Sequence, residues 1–295
     1  MDENIYAVKR PPRSKFIRLR DNDYHLNVWG PSSSRTLYML HGWGDCGGSF
    51  QFLVDALADD WRVIAPDWRG FGQTECKSDT YYFPDYLADL DSLLLALSPD
   101  QPVTLVGHSM GGNIASLYSG IFPERVAALI NIEGFGLRET KPGSAPARYR
   151  QWLDELRSPP RYRDYRQIQD LADRIRERSP GLSPERAGFV AGLWSRTLDG
   201  VVSMKASPAH KITNPVLYRR EEARACWRRI IAPTLLVVGG DTNESYGDAL
   251  RDMAAAELAA PVRIATIPEC GHMIHFEQPD RLAREIENFI SSLDT

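Results

Sequence analysis

The chain is poor in cysteine. Cys46, Cys76, Cys226 and Cys270 are scattered through 295 residues with no CxxC pair, so no disulfide framework is expected and a reducing compartment fits. It also lacks a basic excess. A net charge of -4 argues against nucleic acid as a partner, because phosphate binding needs a basic surface. Long apolar runs are missing, and none approaches the ~20 residues that would span a bilayer. The opening "MDENIYAVKRPPRSKF" has no apolar core of a secretory signal, so a cytoplasmic address is expected. Phosphate-cradling motifs are absent: no glycine-rich stretch matches G-x-x-x-x-G-K-[ST] or G-x-G-x-x-G. The His, Cys and acidic residues do not fall at ligand spacing, so neither a metal nor a cofactor is expected.

What is present is an ordinary globular composition, 43% hydrophobic and 25% charged, with short apolar runs alternating with longer amphipathic ones. "SKFIRLRD" and "YHLNVWG" read as an antiparallel hairpin. The runs at 36–42, 61–67, 102–109, 126–134, 232–240 and 262–270 read as buried strands. Their apolar residues are consecutive rather than alternating, as in a sheet covered on both faces. The class expected is α/β: a doubly wound, mostly parallel eight-stranded sheet. Between about 137 and 229 the rhythm stops, and Arg- and Pro-rich helical patches such as "ARYRQWLDELR" replace strands. An insertion that long points to a functional element. The division expected is a core of 1–136 with 230–295, and a helical cap over 137–229.

The chemistry centres on "LVGHSMGGNIA", residues 105–115. Gly107-His108-Ser109-Met110-Gly111 fits G-x-S-x-G with a strand before and a helix after, the setting of a nucleophile elbow. There the serine occupies a strained turn, and side chains two residues either side would collide. A serine hydroxyl needs a base. His272, in "ECGHMIHFEQP", follows the last strand and precedes the final helix, so its loop can reach the elbow. His275 is expected to be packed or partnered locally, His108 to point away, and His25 and His210 to be surface or structural residues. The base needs an acid to fix its tautomer. Asp241, after the fifth parallel strand, suits the chain order Ser, Asp, His. Glu133, ending the preceding strand in "INIEGFG", could reach the same imidazole. Oxyanion donors are expected from the backbone N–H groups of Met110 and of Trp43, in "HGWGDCGGS".

Together "HGWGD" (41–45), "APDWRGFGQTE" (65–75), "GHSMGG" (107–112), Asp241 and "GHMIHFEQP" (271–279) resemble the α/β-hydrolase superfamily across nearly the whole chain. "IEGFGL" and "NPVLYRREEA" are similar to its lid-bearing serine hydrolase-like branch. The resemblance implies Ser109, Asp241 and His272 as the catalytic set, with Trp43 and Met110 as oxyanion donors. Glu133 matches the acid position of haloalkane dehalogenase relatives. The aspartate nucleophile of those relatives is excluded by Ser109.

The function expected is cofactor-independent hydrolysis of a carboxylic ester, with thioester and amide as variants, through an acyl-enzyme on Ser109. The partner expected is a small acyl substrate with an apolar portion, walled by His41, Trp43, Phe189, Trp194, Met204 and Tyr218. Acyl transfer or C–C bond hydrolysis could use the same residues, and a ligand receptor on a hydrolase scaffold is the non-enzymatic alternative. Nothing in the sequence demands an oligomer.

Overall fold

A computed structural model of the chain describes residues 6–58, 60–134, 136–137, 139–242 and 258–294. Each apolar run anticipated as a strand is one. The hairpin is β1 (Arg13–Leu19) and β2 (Asn22–Trp29), and the runs that follow are β3 (Arg35–Leu40), β4 (Trp61–Pro66), β5 (Val103–His108) and β6 (Val126–Ile132). After the insertion come β9 (Thr234–Gly239) and β10 (Val262–Ile267). They form one eight-stranded sheet in the order β1-β2-β4-β3-β5-β6-β9-β10. β1 and β2 are antiparallel, β2 pairs antiparallel with β4, and all later pairings are parallel.

Strand residues alternate between two apolar layers because side chains on a strand point to opposite faces. Leu129, Leu236 and Val238 join one buried cluster, while Ile130, Leu235 and Val237 join the other. The first layer is closed by α2 (Phe83–Leu97), α3 (Met110–Ile121) and α7 (Arg220–Trp227), through Leu90, Ile114, Tyr118 and Trp227. The second is closed by α1 (Gln51–Ala56) and α8 (Pro279–Ser291), through Leu53, Leu282, Ile286 and Phe289. Two covered faces explain why the inner strands are apolar at consecutive positions.

The chain leaves β3 for β4 on one side and then crosses to β5 on the other, so the order reverses between β3 and β5. Ligands of open α/β sheets bind outside the carboxyl ends of the strands at such a switch point. The loop 41–46 and Ser109 both stand there.

The insertion contains α4 (Ala145–Arg157), α5 (Ile168–Arg178) and α6 (Pro184–Trp194), followed by a hairpin of β7 (Ser195–Leu198) and β8 (Val201–Met204). The hairpin departs from the strand-free reading of this stretch. Asp199 and Gly200 at its tip both have positive φ, 50° and 77°, the backbone of a type I′ turn. α7, grouped by sequence with the insertion, packs on α3 as part of the core. A third apolar cluster seams insertion to core, with Leu171, Ile175, Ala187 and Val190 against Phe52 and Phe276. Among the described residues no helix is long and apolar enough to cross a membrane.

Candidate active site

Ser109 sits between β5 and α3 with φ 51° and ψ -114°, a conformation that costs an L-residue on the order of 1–3 kcal/mol. The glycines around it are forced. A Cβ on Gly111 would lie 2.0 Å from the Leu40 carbonyl oxygen, and one on Gly107 would lie 2.5 Å from that of Gly111. Serine at a helix N-cap ordinarily turns its hydroxyl onto the first turn, but Ser109 makes no side-chain capping bond. Its backbone N–H donates to Ile132 O at 2.9 Å, and its carbonyl accepts from Asn113 N at 3.0 Å, opening α3. The elbow is as the sequence implied.

The carboxylate beside His272 is not the one the chain order favoured. His272 Nδ1 lies 2.7 Å from Glu133 Oε2, so the imidazole donates to Glu133 rather than to Asp241. Glu133 is fully buried, and its Oε1 accepts from Gly239 N at 2.7 Å and Thr242 Oγ1 at 2.5 Å. Three donors offset the cost of burying a carboxylate. Its own φ of 50° marks a second strained non-glycine residue, at the end of the strand beside the elbow. Asp241 is exposed, and its backbone N–H is tied to Cys270 O at 2.9 Å. That tie holds it in the turn after β9, while Thr242, three residues after Gly239, turns its hydroxyl onto Glu133.

His272 is half-exposed, with 45% of its side chain open to solvent. Its loop is anchored from beneath by His108, whose Nε2 donates to the His272 carbonyl at 2.9 Å, with ring centroids 4.8 Å apart. His108 therefore turns into the interior, and burial first, then the neighbouring imidazoles, hold its pKa well below the ordinary histidine value. The loop after β3 closes on the serine from the other side: a Cβ on Gly42 would meet Ser109 Cβ at 3.2 Å. Trp43 follows, 52% exposed, and Met110 begins α3, so its N–H is one of the donors a helix start leaves unpaired.

Of the expected pocket walls, His41 is corrected outright. It is fully buried, donates Nδ1–H to Gly42 O at 2.7 Å and accepts from Trp68 N at Nε2 at 2.8 Å. It fastens the loop instead of facing a substrate. Met204 lines a separate cleft of about 1240 Å³, between the insertion and the 70–77 loop. Tyr218 packs against the core cluster at the root of the insertion, and Phe189 packs on Tyr6 and Phe52. Trp194 stays near the site: its indole Nε1 donates to Asp45 Oδ1 at 2.7 Å, two residues beyond Trp43. His210 and His25 are buried structural residues, His210 stacked between Phe71 and Tyr81 and His25 paired with Asp67.

Comparison with known proteins agrees with this architecture. A sequence profile of the alpha/beta hydrolase fold matches residues 35–279, and the chain belongs to that family. It is 26% identical over 278 residues to a serine hydrolase-like protein of Danio rerio, covering 89% of this chain and 83% of that protein. It is also 26% identical to a 3-hydroxybutyrate-oligomer hydrolase of Cupriavidus necator, covering 88% and 89%. Among solved structures, the thioesterase domain from the curacin biosynthetic pathway superposes with a TM-score of 0.82 at 26% identity, covering 94% and 99% of the two chains.

Proposed function

We propose that the protein is a serine hydrolase that cleaves a carboxylic ester through an acyl-enzyme on Ser109. The observation that carries the reading is the hydrogen bond of 2.7 Å between buried Glu133 and half-exposed His272, set beside a serine whose strained backbone keeps its hydroxyl off the helix. With Nδ1–H held by Glu133, His272 presents Nε2 as the basic nitrogen. It takes the Ser109 proton as Oγ attacks the ester carbonyl. The oxyanion is received by the N–H groups of Met110 and Trp43, each contributing about 3 kcal/mol. The tetrahedral species then collapses, and the leaving alcohol departs with the proton from His272. Water attacks the acyl-enzyme, again giving its proton to His272, and the acid is released as Ser109 regains a hydrogen.

The half-exposed imidazole favours hydrolysis over acyl transfer, because bulk water reaches the base that must activate it. The part of the insertion before α7 acts as the cap, with Trp194 and Trp43 as walls for the acyl group. A chain-length series of p-nitrophenyl esters, with fluorophosphonate labelling and peptide mapping, tests the assignment. Ser109 carries the label. Glu133→Gln lowers kcat about 10³–10⁴-fold, and Asp241→Asn changes it by less than about threefold. Labelling of another residue, or the reverse ranking of the two acids, sinks the reading.

A further inference from the structure

Beneath the site lies a second polar cluster that the proposed chemistry does not use. Asp45 lies in the loop after β3, His108 ends β5 and His275 sits in the short helix Ile274–Glu277, yet one ligand atom from each falls within 4.8 Å of the others, and all three are buried. His275 is fully buried between Phe50 and Phe276, with both ring nitrogens lacking a hydrogen-bond partner. His108 Nδ1 is likewise buried without one. Buried polar atoms are almost always satisfied, so buried imidazole nitrogens left short of hydrogen bonds beside a carboxylate call for an occupant.

We propose that Asp45, His108 and His275 bind a first-row divalent cation, zinc being the best match. The arrangement around His108 and Asp45 is the one metals require. His108 donates its Nε2–H to the His272 carbonyl at 2.9 Å, which fixes the tautomer and leaves the Nδ1 lone pair for the metal. Asp45 is steadied at both oxygens: Cys46 N and Trp194 Nε1 donate to Oδ1 at 2.8 and 2.7 Å, and Ser49 Oγ donates to Oδ2 at 2.8 Å. His275 Nε2 stands 3.4 Å from Asp45 Oδ2. Tetrahedral zinc with bonds near 2.0–2.1 Å separates its ligands by about 3.3 Å. Two imidazoles and one carboxylate form a donor set suited to zinc. The ion would join the loop after β3, the elbow and the His272 loop into one rigid floor. It is independent of the ester chemistry proposed above.

The test is metal content after growth in zinc-supplemented medium and desalting, read by mass spectrometry of the elements, with folding followed by tryptophan fluorescence. Wild type and His272→Gln each retain about one zinc per chain, while His275→Gln and Asp45→Asn retain at least tenfold less. Cobalt substitution of wild type gives visible absorption bands of tetrahedral intensity, absent in His275→Gln. Folded wild type that carries no stoichiometric metal overturns the proposal. So does zinc lost on His272→Gln, which would place the ion on the Glu133–His272 pair. Should both cluster variants fail to fold, the wild-type zinc count and the cobalt spectrum decide.

Discussion

Ser109 shows how a single residue's backbone can carry a function. Its hydroxyl is left uncommitted because φ 51° turns it away from the helix it would otherwise cap, and Gly111 makes that turn possible. Adding one methyl group at Gly111 sets it 2.0 Å from the Leu40 carbonyl, an atom of a central strand that cannot give way. Gly111→Ala is therefore expected to cost about 3 kcal/mol or more, lowering the melting midpoint by roughly 6–12 °C. Gly192→Ala is the contrasting case. It lies within α6 with open space around the added carbon, and is expected to raise stability by about 0.5 kcal/mol. A calorimetric scan of both checks the pair. At this scale the elbow was legible because its steric demands are written in adjacent residues. The acid was not, because Asp241 and Glu133 are separated by 108 positions of chain (from 133 to 241), and only the fold decides which of them meets His272.

At the level of elements, the 67–75 loop is held by charge as well as by the apolar packing of Trp68 and Phe71. Asp89, buried in α2, receives Arg69 at both oxygens, 2.5 and 2.6 Å, and also bonds Tyr24 and Arg20. Removing one partner of a buried pair leaves the other charge stranded. Arg69→Met is expected to cost about 3 kcal/mol by urea unfolding, and Arg69→Met combined with Asp89→Leu to recover part of the loss. If the double variant is no more stable than the single one, the stranded-charge explanation fails. The eight strands of the sheet were legible as elements because sustained apolar runs have few other uses. The β7–β8 hairpin went unread although "LDGVV" (198–202) contains an Asp-Gly turn signal. Its strands are short and β7 is largely exposed, so they lack the apolar pattern that marked the others. The metal cluster was hidden for a different reason: its ligands at 45, 108 and 275 share no local spacing.

Over the whole molecule, buried imidazoles make stability depend on pH. His210 reaches from the insertion into the core, with Nε2 against Arg69 O at 3.0 Å and Nδ1 beside the Tyr86 hydroxyl at 3.4 Å. Burial pushes its pKa down to about 3. Above the ordinary histidine value of about 6.5 neither state binds the proton, and the group contributes nothing to the pH dependence. As pH falls below that value the unfolded chain is protonated while the folded one is not. Stability then declines by on the order of 1.4 kcal/mol per pH unit until about pH 3. Burial lowers His41 and His108 in the same direction. Urea midpoints measured from pH 7.5 to 4 are expected to fall, and His210→Gln to flatten part of that slope. An unchanged slope would remove His210 from the account.

The position of Glu133 carries a consequence for how the protein can move. The 137–229 insertion departs only four residues beyond it, so any swing of a lid would tug on the carboxylate that orients the base. Two asparagines stand in the way. Asn131 Oδ1 accepts from Gly134 N at 2.7 Å, and Asn113 Oδ1 accepts from Gly136 N at 2.5 Å. They moor the departing backbone to the sheet and to α3, so that a displacement of the insertion would leave the Glu133–His272 hydrogen bond undisturbed.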